Sequence, residues 1–378
     1  MRGNAGAIVL AALALPGVWL VPAPAQAQAA PEKGSLAFKY QHYQDSQPGL
    51  RRITANSPSL YALVPVGPYW AVEGTLAIDT LSGATPRWQS AVSSASGMRE
   101  ERKAGEIKVT RYLGRSAYSA GLSHSTERDL ASTALALQGK WSSADNITTW
   151  NIGVASSEDS ITPTNGGLRN VSKENKHADE LLVGLAQAVS SDDLLEVNLT
   201  LNAGKGFYND PYKLFDVRPE ARKQAALLGR WNHRLAGDGS TLRSSYRFYR
   251  DSFGVRTHTA QLEWAKRAGE RLVLTPLLRY DRQSAAWFYA VPVLDDAGQI
   301  VLPTLAPTGF SSGDSRLSAF GAVTLGLKAD FKLSEDWAVE GKWEAYGQRA
   351  AWRLGGQGTQ GLAPFRATTV QLGARYRF

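Results

Sequence analysis

The chain has 378 residues, of which 43% are hydrophobic and 10% aromatic, and its formal net charge is +8. A mean hydropathy of −0.27 is too polar for a bundle of membrane helices, which needs repeated apolar runs of about 20 residues, and the aromatic content is too high for a disordered chain. The absence of cysteine excludes disulfides, thiolate metal sites and covalent c-type haem attachment.

The first segment is typical of a secretory signal peptide. Arg2 supplies a positive charge, residues 5–21 are almost wholly apolar, and small residues alternate through residues 22–29. Because this pattern ends in an Ala-x-Ala cleavage motif, we expect residues 1–27 to be removed and residues 28–378 to form the mature domain. A single membrane anchor is the alternative, but the apolar run is short for that role.

From residue 35 onward the chain repeats segments of about ten residues in which apolar and polar side chains alternate. Such alternation predicts strands with one apolar and one polar face. In the last segment, Val370, Leu372 and Tyr376 share one face, whereas Gln371 and Arg375 share the other. We predict sixteen strands, over residues 35–43, 57–64, 70–80, 102–112, 117–126, 132–141, 148–158, 176–189, 194–202, 221–233, 241–252, 257–266, 271–284, 315–331, 337–349 and 366–378.

The connections between these segments alternate between short turns and longer loops. The longer ones are predicted near residues 44–56, 81–101, 127–131, 159–175, 203–220, 253–256, 285–314 and 350–365. An even number of antiparallel strands with short turns at one end and loops at the other is typical of outer-membrane barrels. The predicted fold class is therefore all-β: a transmembrane antiparallel up-and-down β-barrel of about 16 strands in the cell outer membrane.

If the apolar row of each strand faces lipid, the polar row must face the lumen. That row carries charges of both signs. The candidate lumen-lining residues are Arg243, Arg247, Arg279, Asp281, Glu340, Lys342 and Glu344. Two interpretations remain open: a hydrated wall whose charges pair, and a selectivity region in which Arg243, Arg247 and Arg279 form a basic ladder. The mixed composition does not predict strong ion selectivity.

Two of the predicted loops, over residues 203–220 and 81–102, are unusual in their aromatic and charged content. Both suit an ordered segment that folds inward and narrows the pore, although a solvated surface loop is at least an equal alternative. The candidate constriction residues of the loop over residues 203–220 are Tyr208, Asp210, Tyr212, Lys213, Asp216 and Arg218. The loop over residues 285–314 contains Trp287, Phe288 and Tyr289 and is a candidate lid.

The sequence offers little support for catalysis or cofactor binding. His42, His124 and His258 share parity with the lipid-facing row, so we expect no metal site from them. Ser123 next to His124 resembles the outer-membrane phospholipases, but the surrounding motif of that family is missing. We expect no enzyme activity and no cofactor, and a hydrolase is the least favoured function. The dispersed charges also argue against nucleic acid as a partner.

Several stretches resemble an uncharacterised family of bacterial outer-membrane proteins that is known as a domain of unknown function. They are SPSLY (57–61), DTLSGATPRW (79–88), MREERKAG (98–105), ADNITTWNIG (144–153), FYNDPYKLFDVRP (207–219), YRDSFGVRTHT (249–259) and WRLGG with GLAPF (352–356, 361–365). The resemblance implies a barrel and a location rather than a reaction. Members are encoded beside a small lipoprotein and a flavin transferase, which implies a role in an envelope redox system.

These observations predict the function and the partners only broadly. The leading hypothesis is a porin-like outer-membrane channel for small polar solutes, and the alternative is a structural or partner-binding barrel of an envelope redox system. The expected partners are outer-membrane lipid and lipopolysaccharide, and a small lipoprotein or redox protein. The terminal Phe378, which follows apolar residues at alternate positions, resembles the strand signal that the barrel assembly machinery recognises.

Overall fold

A computed structural model of the protein describes residues 29–83, 98–213, 216–291, 293–294, 300–301 and 308–378. The predicted signal peptide, residues 1–27, lies outside the described residues, as does most of the predicted loop over residues 81–101. None of the described helical segments is long and apolar enough to cross a bilayer.

Sixteen of the strands close into one antiparallel barrel in which each strand pairs with its neighbours along the chain. The predicted all-β barrel is therefore confirmed, and β10, β15, β16 and β17 are two-residue strands outside it. The strands are β1 (Ser35–Gln47), β2 (Leu50–Val66), β3 (Trp70–Gly83), β4 (Met98–Leu113), β5 (Ser116–Thr126), β6 (Leu130–Ser142), β7 (Thr148–Ile161), β8 (Glu174–Ala188), β9 (Asp193–Gly206), β10 (Asp216–Val217), β11 (Ala221–Arg234), β12 (Thr241–Asp251), β13 (Arg256–Ala268), β14 (Leu272–Gln283), β15 (Val293–Leu294), β16 (Ile300–Val301), β17 (Ser311–Ser312), β18 (Phe320–Lys332), β19 (Trp337–Arg349) and β20 (Phe365–Arg377).

The alternation of side chains along each strand separates a lipid face from a lumen face. Leu325 is 54% exposed on the outside of the barrel, whereas the preceding Thr324 is 3% exposed on the inside. The same outward exposure of large apolar side chains recurs on strands around the barrel, as for Leu76 and Leu122. An outward apolar row of this kind is stable only against hydrocarbon, so these strands span a membrane.

The connections differ from the predicted ones at two places. Residues 44–56 are not a loop, because β1 and β2 continue into a hairpin with a two-residue turn in which Gly49 has a φ of +69°. The strand predicted from residue 315 begins at Phe320, because Ser315–Leu317 forms a short 3-10 turn. The side chain of Asp314 accepts a hydrogen bond from the Arg316 backbone N–H and caps that turn.

The barrel closes between its first and last strands. Ser35 pairs with Arg377, and the Gly34 N–H donates to the Phe378 carbonyl oxygen at 2.9 Å while the Phe378 N–H donates to the Gly34 carbonyl at 3.1 Å. A Cβ atom at position 34 would lie 2.4 Å from the Phe378 ring. A side chain at position 34 would therefore have to displace the aromatic ring that crosses the start of β1.

Candidate functional site

The inner faces of β12, β13 and β14 carry a connected row of charged and amide side chains. Arg279 donates from Nε to Gln261 Oε1 at 2.7 Å, and Gln261 donates in turn to Glu263 Oε1 at 2.7 Å. Arg243 lies 3.9 Å from Glu263 on the neighbouring strand. Two of the predicted lumen residues, Arg243 and Arg279, are thus joined through one acid and one amide.

A second group of paired charges lies on β18, β19 and β1. Glu344 lies 3.0 Å from Lys342 and 3.7 Å from Arg279, which links this group to the first. Glu340 lies 2.7 Å from Lys39 and 3.3 Å from Lys328. The pairing along and across strands means that most of these lumen charges are already balanced by neighbours.

The remaining two predicted lumen residues, Asp281 and Arg247, lie on the inner face nearer the loop end. Asp281 accepts a hydrogen bond from Thr259 Oγ1 at 2.6 Å. The guanidinium of Arg247 lies 5.3 Å from the centre of the Tyr249 ring, a cation–π contact. Within the described part of the chain, neither Arg247 nor Asp281 has an oppositely charged side chain within ion-pair distance, whereas the other five predicted lumen residues do.

The turn-end half of the barrel encloses a cavity of about 670 Å³. Both signs of charge reach it, and its polar lining includes Lys39, Arg230, Arg243, Glu263, Glu340 and Lys342. The inner faces of β5 to β8, which do not line this cavity, carry mainly small residues, among them Ala117, Gly121, Ala134, Gly153, Ala178 and Gly184. The long charged side chains therefore come largely from the opposite wall.

Two long connections meet at the loop end of the barrel and form a structure that we call the cap. The cap consists of the described residues of the β9–β11 connection (207–220) and of the β14–β18 connection (284–319). These connections pair with each other through β10 and β17, in the register Asp216 to Ser312 and Val217 to Ser311. The two connections are thus held together by backbone pairing as well as by side chains.

The cap has an apolar core of its own. Phe253, in the turn between β12 and β13, is fully buried and makes edge-to-face contacts with Tyr208 at 5.8 Å and with Phe288 at 5.0 Å. Leu317 completes this cluster, and the inner-face residue Tyr249 packs against it. Because Tyr249 belongs to the lumen wall, the core of the cap lies against the inside of the barrel.

Two contacts attach the cap to the inner wall. The Tyr208 hydroxyl occupies space above Gly204 of β9, where a Cβ atom would lie only 2.1 Å away. The guanidinium of Arg222 on β11 lies 4.6 Å from the Phe253 ring centre and also pairs with Asp251. Because Gly204 has no side chain, Tyr208 of the cap can pack directly against the inner wall there.

A buried ion cluster joins the two connections of the cap. Asp314 is fully buried and lies 2.9 Å from both Lys213 Nζ and Arg218 Nη2, and it also pairs with Arg316. Arg218 in turn lies 2.8 Å from Asp216, which is fully buried as well. The single guanidinium of Arg218 thus bridges a carboxylate on each connection.

The electrostatics of this cluster favour the charged forms. Burial alone would raise the pKa of the Asp314 carboxyl, but Arg316, Lys213 and Arg218 outweigh burial and hold that pKa well below its usual range. Burial also acts against ionised Asp210, yet Lys213 and the Tyr212 backbone N–H lower its pKa. Asp314 and Asp210 therefore remain ionised throughout the neutral range.

Further loops are attached to the cap through Tyr212. Asp129, in the turn between β5 and β6, is 5% exposed and accepts hydrogen bonds from the Tyr212 hydroxyl and, at 2.6 Å, from Thr164 Oγ1. The Thr164 N–H donates to the Tyr212 hydroxyl at 2.7 Å. Because Thr164 belongs to the β7–β8 connection, Tyr212 joins the cap to both the β5–β6 turn and the β7–β8 connection.

The structure brings all six predicted constriction residues of the loop over residues 203–220 into the cap. Their role in narrowing a pore remains a prediction. Sequence reasoning did not assign their partners Asp129, Asp314, Arg316 and Phe253, and it noted Phe288 only as part of a candidate lid. The aromatic run 287–289 was the one available signal, because isolated acids and arginines in loops have no periodicity that marks them as partners.

The histidines form no common site. His42 bonds to Asn56, His124 to Thr133 and His258 to Tyr246, all on the outside of the barrel. In the described ranges, no group of three or more His, Cys, Asp or Glu side chains has an arrangement that could hold a metal ion.

Comparison with known proteins identifies the family. The model of a family described as proteins of unknown function, DUF3570, matches residues 91–171 and 166–369. The chain belongs to this family. The predicted resemblance to an uncharacterised family of outer-membrane barrels is thereby confirmed. A search of curated protein sequences finds no match.

Solved structures with the same architecture are outer-membrane barrels. A bacterial polysaccharide outer-membrane secretin is 7% identical, with 91% of this chain and 98% of that chain covered and a TM-score of 0.51. The siderophore receptor PirA from Pseudomonas aeruginosa is 13% identical over 83% of this chain, with a TM-score of 0.43, and the chain spans 56% of that receptor's length. OccK2 from Pseudomonas aeruginosa, solved with glucuronate, is 11% identical, with 93% of this chain and 96% of that chain covered and a TM-score of 0.44. The likeness to the secretin, at 7% identity, is one of fold alone, and the secretin is an outer-membrane protein.

Proposed function

We propose that this protein is an outer-membrane channel for small polar solutes, exported by residues 1–27, whose outer mouth is narrowed by the cap. The observation that carries the proposal is the cavity of about 670 Å³ inside a membrane-spanning barrel, whose lining includes side chains of both signs of charge. A barrel of sixteen strands is wide enough to leave an aqueous passage. A purely structural barrel would gain more stability by filling this space with apolar side chains.

The pairing of the wall charges indicates the class of solute. Glu340 is shared by Lys39 and Lys328, and Glu344 by Lys342 and Arg279, so the wall presents balanced pairs rather than a field of one sign. Such pairs offer hydrogen-bond donors and acceptors to a passing solute without strongly favouring anions or cations. Small uncharged or zwitterionic polar molecules fit this wall best.

The cap supports a narrowed passage rather than a wide pore. Its apolar core lies against the inner wall, its ion cluster joins the two connections, and Tyr212 links it to the connection after β5 and the one after β7. A segment held by a buried ion cluster and an aromatic core keeps one position, unlike a solvated loop. We therefore expect permeation to be slow and to fall steeply with the size of the solute.

Liposome swelling with uncharged sugars of increasing size tests this function. Folded wild-type protein should admit the smallest sugars faster than protein-free liposomes do, and Arg218→Met should extend the range to larger sugars. Asp145→Asn, in the exposed turn between β6 and β7, is the matched control because it removes one charge at the opposite end. If neither the wild type nor Arg218→Met admits any sugar or conducts ions, the channel hypothesis fails. A partner-binding barrel of an envelope redox system would then be the leading hypothesis.

A further inference from the structure

We propose that the outside of the barrel carries a binding site for the phosphate groups of a bisphosphorylated glycolipid, lipid A, in the outer leaflet. The site is a row of basic side chains that we call the basic belt. It consists of Lys223, Arg250, Arg256, Arg282, Arg349 and Arg366. This inference concerns the lipid-facing surface and does not depend on transport through the lumen.

Each member of the basic belt lies on the outer face, within two residues of the loop end of its strand. Arg250 has the same parity as Tyr246, which is 50% exposed to the outside, and Arg366 has the same parity as Leu372, which is 60% exposed. The belt runs over β11, β12, β13, β14, β19 and β20. On the intervening strand β18, the corresponding outer position is Gly321, which pairs with both Arg282 and Arg349.

The register brings like charges unusually close together. Arg250 and Arg256 are direct partners across β12 and β13, which puts their Cβ atoms about 5 Å apart on one face. Arg282 and Arg349 are separated by one strand, which corresponds to about 10 Å, and the backbone of Trp352 lies over Gly321 between them. Like charges directly opposite each other destabilise a sheet unless an anion lies between them. The geometry therefore favours a bound anion with several phosphate oxygens.

The belt also lacks the carboxylates that neutralise charges elsewhere in the barrel. Along the described parts of β11 to β20, the outer positions at the loop end include no Asp or Glu. By contrast, Arg222 on the inner face pairs with Asp251. The outer-face histidine of β8, His177, lies between Glu158 and Asp179. The outer leaflet itself is the remaining source of negative charge for the belt.

The β19–β20 connection supplies apolar surface beside the belt. Trp352 lies over the outer face of Gly347, and its carbonyl accepts a hydrogen bond from the outward Tyr280 hydroxyl at 2.8 Å. The Arg349 guanidinium lies 5.0 Å from the Trp352 ring centre. Leu354 in the same connection is 65% exposed. The arginine can bind a phosphate group, and the neighbouring tryptophan and leucine can contact sugar rings and acyl chains. This combination matches the chemistry of lipid A.

The position of the belt favours this lipid over phospholipid. The loop end of an outer-membrane barrel faces the cell exterior, so the belt lies at the headgroup level of the outer leaflet. Lipid A carries two phosphate groups on one rigid disaccharide, and two phosphates can engage neighbouring arginines at once. A phospholipid offers a single phosphate and would gain no such advantage.

The test compares lipid binding by two charge-matched double variants in detergent. Arg349→Gln with Arg366→Gln alters the belt, and Lys103→Gln with Lys173→Gln removes the same charge outside it. Each basic residue near an anionic membrane surface contributes about fivefold, so the belt variant should bind bisphosphorylated lipid A about thirtyfold more weakly. The control should bind as the wild type does, and Arg349→Lys with Arg366→Lys, which keeps both charges, should retain most of the binding.

Specific outcomes would overturn the proposal. The first is that the belt variant and the control variant weaken lipid A binding equally. The second is that the wild type binds dephosphorylated lipid A as tightly as intact lipid A. The third is that phosphatidylglycerol competes for the site as well as lipid A does. Heat-modifiable migration of each variant shows that the barrel is folded before binding is measured. If the glutamine variant does not fold, the comparison of intact with dephosphorylated lipid A on the wild type decides the question alone.

Discussion

Arg218 and Asp314 are 96 residues apart in the chain, and the Arg218 guanidinium donates to the Asp314 carboxylate at 2.9 Å inside the cap. Both side chains are buried, and Arg218 also holds Asp216. This contact joins the two connections that cover the barrel mouth. Removing one partner of a buried pair leaves the other charge without compensation, whereas the strands of the barrel do not depend on it.

Replacement of Arg218 by Met should therefore release the cap and leave the barrel intact. We expect a loss of about 3–5 kcal/mol in the stability of the cap, because two buried carboxylates lose their shared partner. Limited proteolysis should then cut within residues 207–220, while heat-modifiable migration stays unchanged. Asp238→Asn, in the turn between β11 and β12, serves as the control. Equal protease resistance of Arg218→Met and the wild type would show that the pair does not hold the cap.

The cap should be insensitive to pH across the neutral range and loosen in acid. The folded-state pKa values of Asp314 and Asp210 are depressed, so their contribution is present above the usual aspartate pKa of about 3.9 and is lost as pH falls through the folded values. Tryptophan fluorescence from Trp287, beside Phe288, should stay constant from about pH 8 to pH 5 and change only below about pH 4. A transition centred near pH 6 would contradict this assignment.

Substitution of Gly204 by Ala should displace Tyr208 from its position against the inner wall. A Cβ atom there would lie 2.1 Å from the Tyr208 hydroxyl, and overpacking of this kind costs about 1–3 kcal/mol. Gly121→Ala on the inner face of β5 is the matched control, because its Cβ would meet the nearest atom, the Ile107 carbonyl oxygen, at an ordinary 3.6 Å. Proteolysis of the cap should distinguish the two variants, and equal sensitivity would mean that Tyr208 does not anchor the cap.

An arginine on the lipid face should be far more damaging than one on the lumen face. Leu325→Arg should lower the free energy of unfolding by about 2–4 kcal/mol if the site lies near the bilayer midplane. Ser245→Arg, which lines the lumen cavity, should be much milder because the new charge remains hydrated. Urea titration of the protein folded into liposomes measures both. Equal losses would show that the assignment of faces is wrong.

Arg247→Glu should change the ion preference of the channel more than Arg243→Glu does. Each Arg→Glu substitution changes the local charge by two units, but Arg243 already has Glu263 at 3.9 Å, while Arg247 lies against the Tyr249 ring with no carboxylate of the described residues within ion-pair distance. Reversal potentials in a salt gradient should move toward cations, least at 1 M salt, where the screening length is about 3 Å. If the variant that carries both Arg243→Glu and Arg247→Glu has an unchanged reversal potential, the two arginines stabilise the wall and do not select ions.

The strands could be predicted from the sequence because the bilayer imposes a strict alternation on them. Leu325 and Thr324 illustrate this, since one faces lipid and the other the lumen. The alternation fails at the headgroup level and beyond it, where both faces of a strand are wet. For that reason the polar residues 44–56 suggested a loop although they continue a hairpin. Lipid imposes no alternation on this part of the chain, so the hairpin could be predicted only from turn residues such as Gly49.

The cap could be predicted only as a set of candidates. Tyr208, Asp210 and Arg218 stood out because aromatic and charged residues are dense in one loop. Their partners could not be assigned, because Asp314 and Phe253 lie far along the chain and long-range side-chain contacts leave no periodic trace. In the lumen, the alternation predicted which side chains face inward, but the pairing of Glu344 with Arg279 depends on the strand register.

The distance along the chain between the two connections of the cap has a consequence for assembly. The strands β11 to β14 lie between β10 and β17, so β10 and β17 can meet only after four strands have taken their places in the wall. Joining segments 96 residues apart in an unfolded chain would carry a large loop-closure entropy, which the finished wall removes by bringing them together in advance. The cap is therefore expected to form last, after insertion, so that the nascent barrel passes through a stage in which its mouth is uncovered.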